Sequence, residues 1–250
     1  MVLIQLVFMQ ILKYIAWFFW KVWFYLLMAV VILLLSPLLI ISLSNERWYG
    51  FFFRLARLWA YILFYSMGFR YQLHDSQPLD KHGSYMFVAN HTSMMDIMLM
   101  LILNKNPFVF IGKKELEKMP LFGFFYKKAS ITVDRSSSKS RKESIEKARQ
   151  KLSNGMSICI FPEGQVPDEG VILDEFKDGA FRLAIDFQIP VVAYTFVGLK
   201  QHFPYRFWGG KPGKVEVYMH LLFQTDGLTQ KDKPVLKQKV RDCIIVKLED

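Results

Sequence analysis

Along this chain the spacing of apolar residues changes character near residue 70. Before it, apolar positions are almost continuous. Residues 1–45 hold only two charged side chains, Lys13 and Lys21, and residues 22–44 hold none. As a helix that uncharged run would be ~35 Å long, enough to cross a bilayer core, and Pro37 within it is tolerable in a membrane helix. Residues 2–20 are also apolar but are interrupted by Gln5, Gln10 and Lys13. They are expected to form a hairpin with the next segment or to lie in the interface, where Trp17, Trp20 and Trp23 suit a headgroup belt. A third apolar stretch, 47–69, puts Arg54 and Arg57 on one helical face. It predicts a basic amphipathic helix on the membrane surface, with a core helix carrying snorkelling arginines as the alternative. The apolar block is too long for a cleaved signal peptide, and neither an early basic region nor a small-x-small site accompanies it.

From residue 72 onward the pattern alternates. Short apolar runs at 85–89, 108–111, 131–133, 157–161, 189–196 and 214–223 read as strands. Helical spacing appears at 95–103, 139–153, 179–187 and 235–248. Asn154-Gly155 ends the second of these helices, and 188–190 separates the third from its strand. The fold class is therefore α/β, a sheet flanked by helices. Two parts follow: hydrophobic membrane helices over 1–71 and an α/β domain over 72–250.

Charge narrows the partners. A net charge of +10 points to nucleic acid, anionic lipid or a phosphorylated substrate. The 52% apolar content and the mean hydropathy of +0.19 favour lipid. Nucleic acid is disfavoured, since no zinc, helix-turn-helix or RNP signature is present. Basic residues dominate the C-terminal side of the uncharged span, which puts the remaining chain on the cytoplasmic face, as at a bacterial inner membrane. Cys159 and Cys243 read as reduced thiols with no disulfide. The five histidines contain no HxxxH or HxH pair, so no metal is implied.

The candidate chemistry follows the run at 85–89, in Asn90-His91-Thr92-Ser93-Met94-Met95-Asp96. A histidine suits proton transfer near neutral pH, and a carboxylate can hold its tautomer and stabilise its protonated form. On a regular helix, five residues turn through about 500°, leaving the two side chains about 140° apart. They meet only if His91 precedes the helix and Asp96 lies in its first turns. The same string also reads as a plain helix start, capped by Asn90 or Thr92 with Asp96 favoured by the dipole. Ser93 lacks a G-x-S-x-G elbow and reads as a small helix-start residue rather than a nucleophile. Two further loops follow strands, Asp134-Arg135 and Phe161-Pro162-Glu163-Gly164. Loops at the carboxyl ends of strands build sites in α/β folds, and arginine binds phosphate bidentately.

Together these residues resemble the glycerophosphate acyltransferase superfamily, most closely its 1-acylglycerol-3-phosphate acyltransferases. His91 to Asp96 matches the His-x4-Asp signature. Lys113-Lys114-Glu115-Leu116 with Pro120-Leu121-Phe122-Gly123 resembles the stretch that follows this first block, and Asp134-Arg135 the basic second block. Phe161-Pro162-Glu163-Gly164 is similar to the third, and the stretches 176–184 and 189–192 to the last. All fall in the family's order within roughly residues 80–200. The third block departs from the family in continuing Gln165-Val166-Pro167, and the last in having Ala193-Tyr194. Both departures leave the acceptor open.

The resemblance implies a mixed α/β acyltransferase fold and transfer of an acyl group from acyl-carrier protein or coenzyme A to the 2-hydroxyl of lysophosphatidic acid. His91 would be the base and Asp96 its orienting carboxylate. Arg135 would bind the acceptor phosphate. Glu163 and Gly164 would shape the acceptor site, Glu163 by bonding a glycerol hydroxyl or a cation. Lys113 and Lys177 would contact anions. Oxyanion donors are sought among backbone amides near Gly164 or Lys113. No cofactor beyond the thioester co-substrate is implied. Two rivals stand beside this reading. One is an O-acyltransferase for another lysolipid, such as a monoacylated amino-acid lipid, with Gln165 and Tyr194 shaping the head-group pocket. The other is a non-catalytic membrane-anchored lipid-binding protein.

Overall fold

A computed structural model describes residues 2–250, with side chains from Ile4 onward. Its centre is a seven-stranded sheet in the order β1-β7-β6-β2-β5-β3-β4. The strands are β1 (Arg70–His74), β2 (Met86–Ala89), β3 (Phe108–Lys113), β4 (Ile131–Val133), β5 (Ser157–Ile160), β6 (Val191–Val197) and β7 (Lys214–Met219). All pairings are parallel except β6 with β7. Every residue of the central β2 is buried, as expected of a parallel strand covered on both faces. β1 has no run of apolar residues to announce it; its exposure alternates irregularly because it lies at the sheet edge.

Two apolar layers cover the sheet. One holds α5 (Ser138–Ser153), α6 (Gly179–Asp186) and α8 (Lys233–Glu249). The other holds α1 (Val2–Ser42), α2 (Tyr49–Ser66) and α3 (Met95–Leu103), so the N-terminal helices share a core with β2, β6 and β7. Two short helices complete the fold, α4 (Phe122–Ala129) and α7 (Leu199–His202).

The N-terminal half departs from the sequence reading in two respects. Residues 2–20 and the following span form one helix, not a hairpin, because nothing between Trp20 and Trp23 breaks helical geometry. α2 is a core helix. It buries Phe52, Phe53, Leu55, Trp59, Ala60, Leu63 and Phe64, and packs on α1 and α3. Its two arginines part company. Arg57 donates from Nε to Leu101 O (2.9 Å) and from Nη2 to Ile102 O (3.1 Å), satisfying orphan carbonyls at the end of α3. Arg54 is exposed and sits over Phe51.

α1 is long and apolar enough to cross a membrane. Its 41 residues span ~60 Å, about twice a bilayer core. One stripe is buried against the domain, through Lys21, Phe24, Met28, Val31, Ile32 and Leu39, at helical spacing. The opposite face leaves Val22, Leu26, Val30, Leu33, Leu34 and Ile41 exposed.

Candidate active site

His91 lies in the loop between β2 and α3, and Asp96 is the second residue of α3. This is the arrangement that the five-residue spacing demands. Three hydrogen bonds converge on Asp96 Oδ2: His91 Nδ1 at 2.9 Å, Thr92 N at 2.6 Å and Ser93 N at 2.8 Å. Among the described residues Oδ1 has no hydrogen-bond partner, and Asp96 is 0% exposed. Burial pushes the Asp96 carboxyl above its ordinary value, against the opposing pull of His91 and the two backbone N–H groups.

The loop is built for this. The N-cap of α3 is Met94, which makes no side-chain cap bond, so neither Asn90 nor Thr92 caps the helix. Ser93 orders the turn before it: its Oγ accepts from Met95 N (3.1 Å) while its own N–H donates to Asp96. The turn into the helix and the histidine orientation therefore share one carboxylate. Asn90 does a strand's work with its side chain: Nδ2 donates to Phe196 O (3.0 Å) and Oδ1 accepts from Phe196 N (2.8 Å), tying the loop to β6.

The loop after β5 supports His91 from the other side. Phe161 stacks on the imidazole, with centroids 4.1 Å apart and planes 13° apart. Glu163 is 1% exposed. Its Oε1 accepts from His91 N (2.7 Å) and its Oε2 from Asp174 N (2.9 Å). Burial raises its pKa from 4.5 to about 7, opposed by those two N–H groups. Gly164 adopts φ +78°, the left-handed region that glycine enters without strain. Its N–H donates to Phe161 O (3.0 Å), closing the turn, so this amide is not a free oxyanion donor.

His91 also lines a cavity of about 540 Å³. Its apolar wall comes from α1 (Ile32, Leu39), α2 (Phe52, Phe53, Ala56, Trp59), α3 (Ile97, Leu101), β3 (Phe108, Phe110) and α4 (Phe122, Phe125). Lys113, Arg135, Gln165 and Tyr205 also line it. Lys113 pairs in register with Val133, two residues before Arg135, so both cations stand at the carboxyl edge of the sheet. Lys177 does not line the cavity; it is exposed, with its side chain beside Gly164 and its backbone N donating to Pro162 O (2.7 Å). Tyr194 is also outside it: the residue is buried, and its hydroxyl donates to Asn104 Oδ1 (2.9 Å).

Tyr205 is the site residue that the sequence does not announce. Its hydroxyl lies 3.4 Å from His91 Nε2, and its ring meets the imidazole edge-on with centroids 5.9 Å apart. It lies beyond the last recognisable block, in a loop with no periodic pattern.

The 1-acyl-sn-glycerol-3-phosphate acyltransferase of Cocos nucifera is 37% identical over 114 residues, 45% of this chain and 37% of that protein. The chain thus matches little more than a third of that relative's length. The lyso-ornithine lipid O-acyltransferase of Rhizobium meliloti is 26% identical over 216 residues, covering 78% of this chain and 69% of that one. The crystal structure of the 1-acyl-sn-glycerophosphate (LPA) acyltransferase PlsC from Thermotoga maritima has the same fold. It superposes with a TM-score of 0.79 over 95% of this chain and 96% of that one, at 22% identity. The sequence model described as Acyltransferase matches residues 70–197, more than half of the chain and the stretch that carries His91, Asp96, Arg135 and Glu163. The chain belongs to the acyltransferase family.

Proposed function

We propose that this protein transfers a fatty acyl group from a thioester, of acyl-carrier protein or coenzyme A, to the 2-hydroxyl of lysophosphatidic acid, giving phosphatidic acid. One observation carries the reading: His91, oriented by Asp96, stands where an apolar cavity meets Arg135 and Lys113. A lipid acceptor with an anionic head and an acyl donor both need that combination.

With Nδ1–H donating to Asp96, Nε2 is the basic nitrogen. It takes the proton of the acceptor hydroxyl as that oxygen bonds to the thioester carbonyl carbon. The tetrahedral intermediate collapses by breaking the carbon–sulfur bond, and the departing thiolate takes the proton from the imidazolium. General-base catalysis of this kind supplies on the order of 10²–10⁴ in rate. Holding both substrates at the base supplies about 7–11 kcal/mol more. Arg135 binds the phosphate, and Lys113 attracts anionic groups to the mouth. Glu163 acts as a positioning residue, since backbone N–H groups already engage both its oxygens. Gly164 supplies the turn that presents it, and Lys177 acts at longer range as a surface cation. The apolar wall takes an acyl chain.

α1 associates with the bilayer through its outward face, with the domain on the cytoplasmic side. Between Lys21 and Leu39 its other face is occupied by protein, so lipid wets only one side of the helix there, whereas residues 4–16 are exposed all round. Quenching of Trp23 by shallow but not deep lipid-borne quenchers tests this orientation; strong deep quenching refutes it.

The similarity to a lyso-ornithine lipid O-acyltransferase over 78% of the chain favours a second acceptor class, a monoacylated amino-acid lipid. One assay decides: labelled acyl thioester with lysophosphatidic acid, lysophosphatidylglycerol and a monoacylated amino-acid lipid in parallel, using the parent and His91→Ala. Phosphatidic acid from the parent alone is the expected result. Transfer only to another acceptor moves the substrate and keeps the chemistry. No transfer from a folded protein with either donor favours a lipid-binding protein instead.

A further inference from the structure

An acyltransferase base faces a problem of selection. Water is far more abundant than the acceptor, and a histidine that activates an alcohol can activate water equally well. Water attack would bond its oxygen to the thioester carbonyl carbon, pass its proton to Nε2 and release free acid and thiol. The arrangement around Tyr205 answers this. With Nδ1 committed to Asp96, Nε2 is the nitrogen left to accept a proton, and the Tyr205 hydroxyl lies 3.4 Å from it. That is where an acceptor hydroxyl has to sit.

Tyr205 is held there by its neighbours. Ser93 Oγ donates to Phe203 O (2.7 Å) from the first-block loop, and Lys21 Nζ donates to Pro204 O (2.8 Å) from α1. Lys21 also lies 3.6 Å from the centroid of the Phe203 ring, and Trp17 Nε1 donates to Gly210 O (3.0 Å). The segment is thus clamped between the catalytic loop and the apolar helix, while the Tyr205 side chain itself remains half-exposed. We infer that the Tyr205 hydroxyl occupies His91 Nε2 until an acceptor hydroxyl displaces it, shielding the base from water. The inference rests on the acyl-transfer reading, for it gives Tyr205 its role in that same site.

Two readouts on the full-length protein in detergent micelles test it. The first is thiol release from an acyl thioester without acceptor, beside transfer to lysophosphatidic acid. Tyr205→Phe is expected to raise acceptor-free release about 5-fold and to lower the acceptor KM about 2- to 12-fold, the range of one neutral hydrogen bond. Tyr205→Ala should raise release further. The second is the ¹⁵N resonance of His91 Nε2 without substrate, which should move in Tyr205→Phe and move likewise when acceptor is added to the parent. An unchanged resonance in Tyr205→Phe, or an unchanged ratio of release to transfer in both variants, overturns the gate alone. A parent that transfers to no acceptor overturns the acyl-transfer reading and the gate with it.

Discussion

Replacing Glu163 with Gln separates a positioning carboxylate from a substrate ligand. The native side chain offers one oxygen to His91 N and the other to Asp174 N, in a site 1% exposed. Gln offers one oxygen and one NH₂. Whichever way the amide turns, one backbone N–H faces another donor, and an unsatisfied buried donor costs about 1–3 kcal/mol. At 1.4 kcal/mol per tenfold, a cost borne by the His91 loop lowers the population of aligned base, and with it kcat, by about 5- to 150-fold. A cost borne by the Asp174 loop appears as lost stability, about 2–4 °C in Tm for each kcal/mol in a chain of this size. Kinetics with varied acceptor and thermal unfolding of the same preparation measure both. The pH dependence adds a signed test. Because burial raises the Glu163 pKa from 4.5 to about 7, its contribution to stability is whole below pH 4.5 and is lost as the pH rises toward 7. The parent should therefore lose stability relative to Glu163→Gln across that window. An unchanged Tm together with a raised acceptor KM would refute the reasoning and make Glu163 a substrate ligand.

Three further outcomes are expected. In Asp96→Asn the amide oxygen can replace Oδ2 and keep all three hydrogen bonds, leaving NH₂ where Oδ1 has no partner. The histidine tautomer then survives and only the charge is lost, so kcat should fall about 10²-fold. A fall nearer the ~10⁴ seen for the equivalent change in a serine-protease triad would mean that the amide turns its NH₂ to His91. Arg135→Gln removes a charge-assisted contact worth about 1.5–3 kcal/mol, so KM for lysophosphatidic acid should rise at least 10-fold. An equal rise for an acceptor without phosphate would count against the assignment. Ala56→Leu adds three carbons to the cavity wall and should shift donor preference toward shorter chains, each displaced methylene costing about 0.8 kcal/mol. Unchanged chain preference in a panel of acyl thioesters would send the acyl chain elsewhere.

Much of this protein was legible in its sequence because the relevant signals are local. β2 and β5 are short apolar runs, α5 has helical spacing ended by Asn154-Gly155, and His91 and Asp96 sit at a separation with only one geometric solution. β1 escaped because an edge strand need not alternate, and α4 because eight residues carry too little periodicity. The division of labour within the site was not legible at all. Glu163 reads equally well as a ligand or a brace until His91 N and Asp174 N are found on its two oxygens. Arg57 reads as a membrane-facing cation until the end of α3 is found beneath it. Tyr205 meets His91 across 114 positions, Lys21 meets Pro204 across 183, and the cavity draws its wall from α1, α2, α3, α4 and β3. The sequence by itself determined the element types, the order of the chemical blocks and the His91–Asp96 pairing, since each depends on spacing along a few turns of chain. Tertiary structure decided which polar groups remain free after the backbone's own hydrogen bonds are met, because that depends on which distant segments packing brings against them.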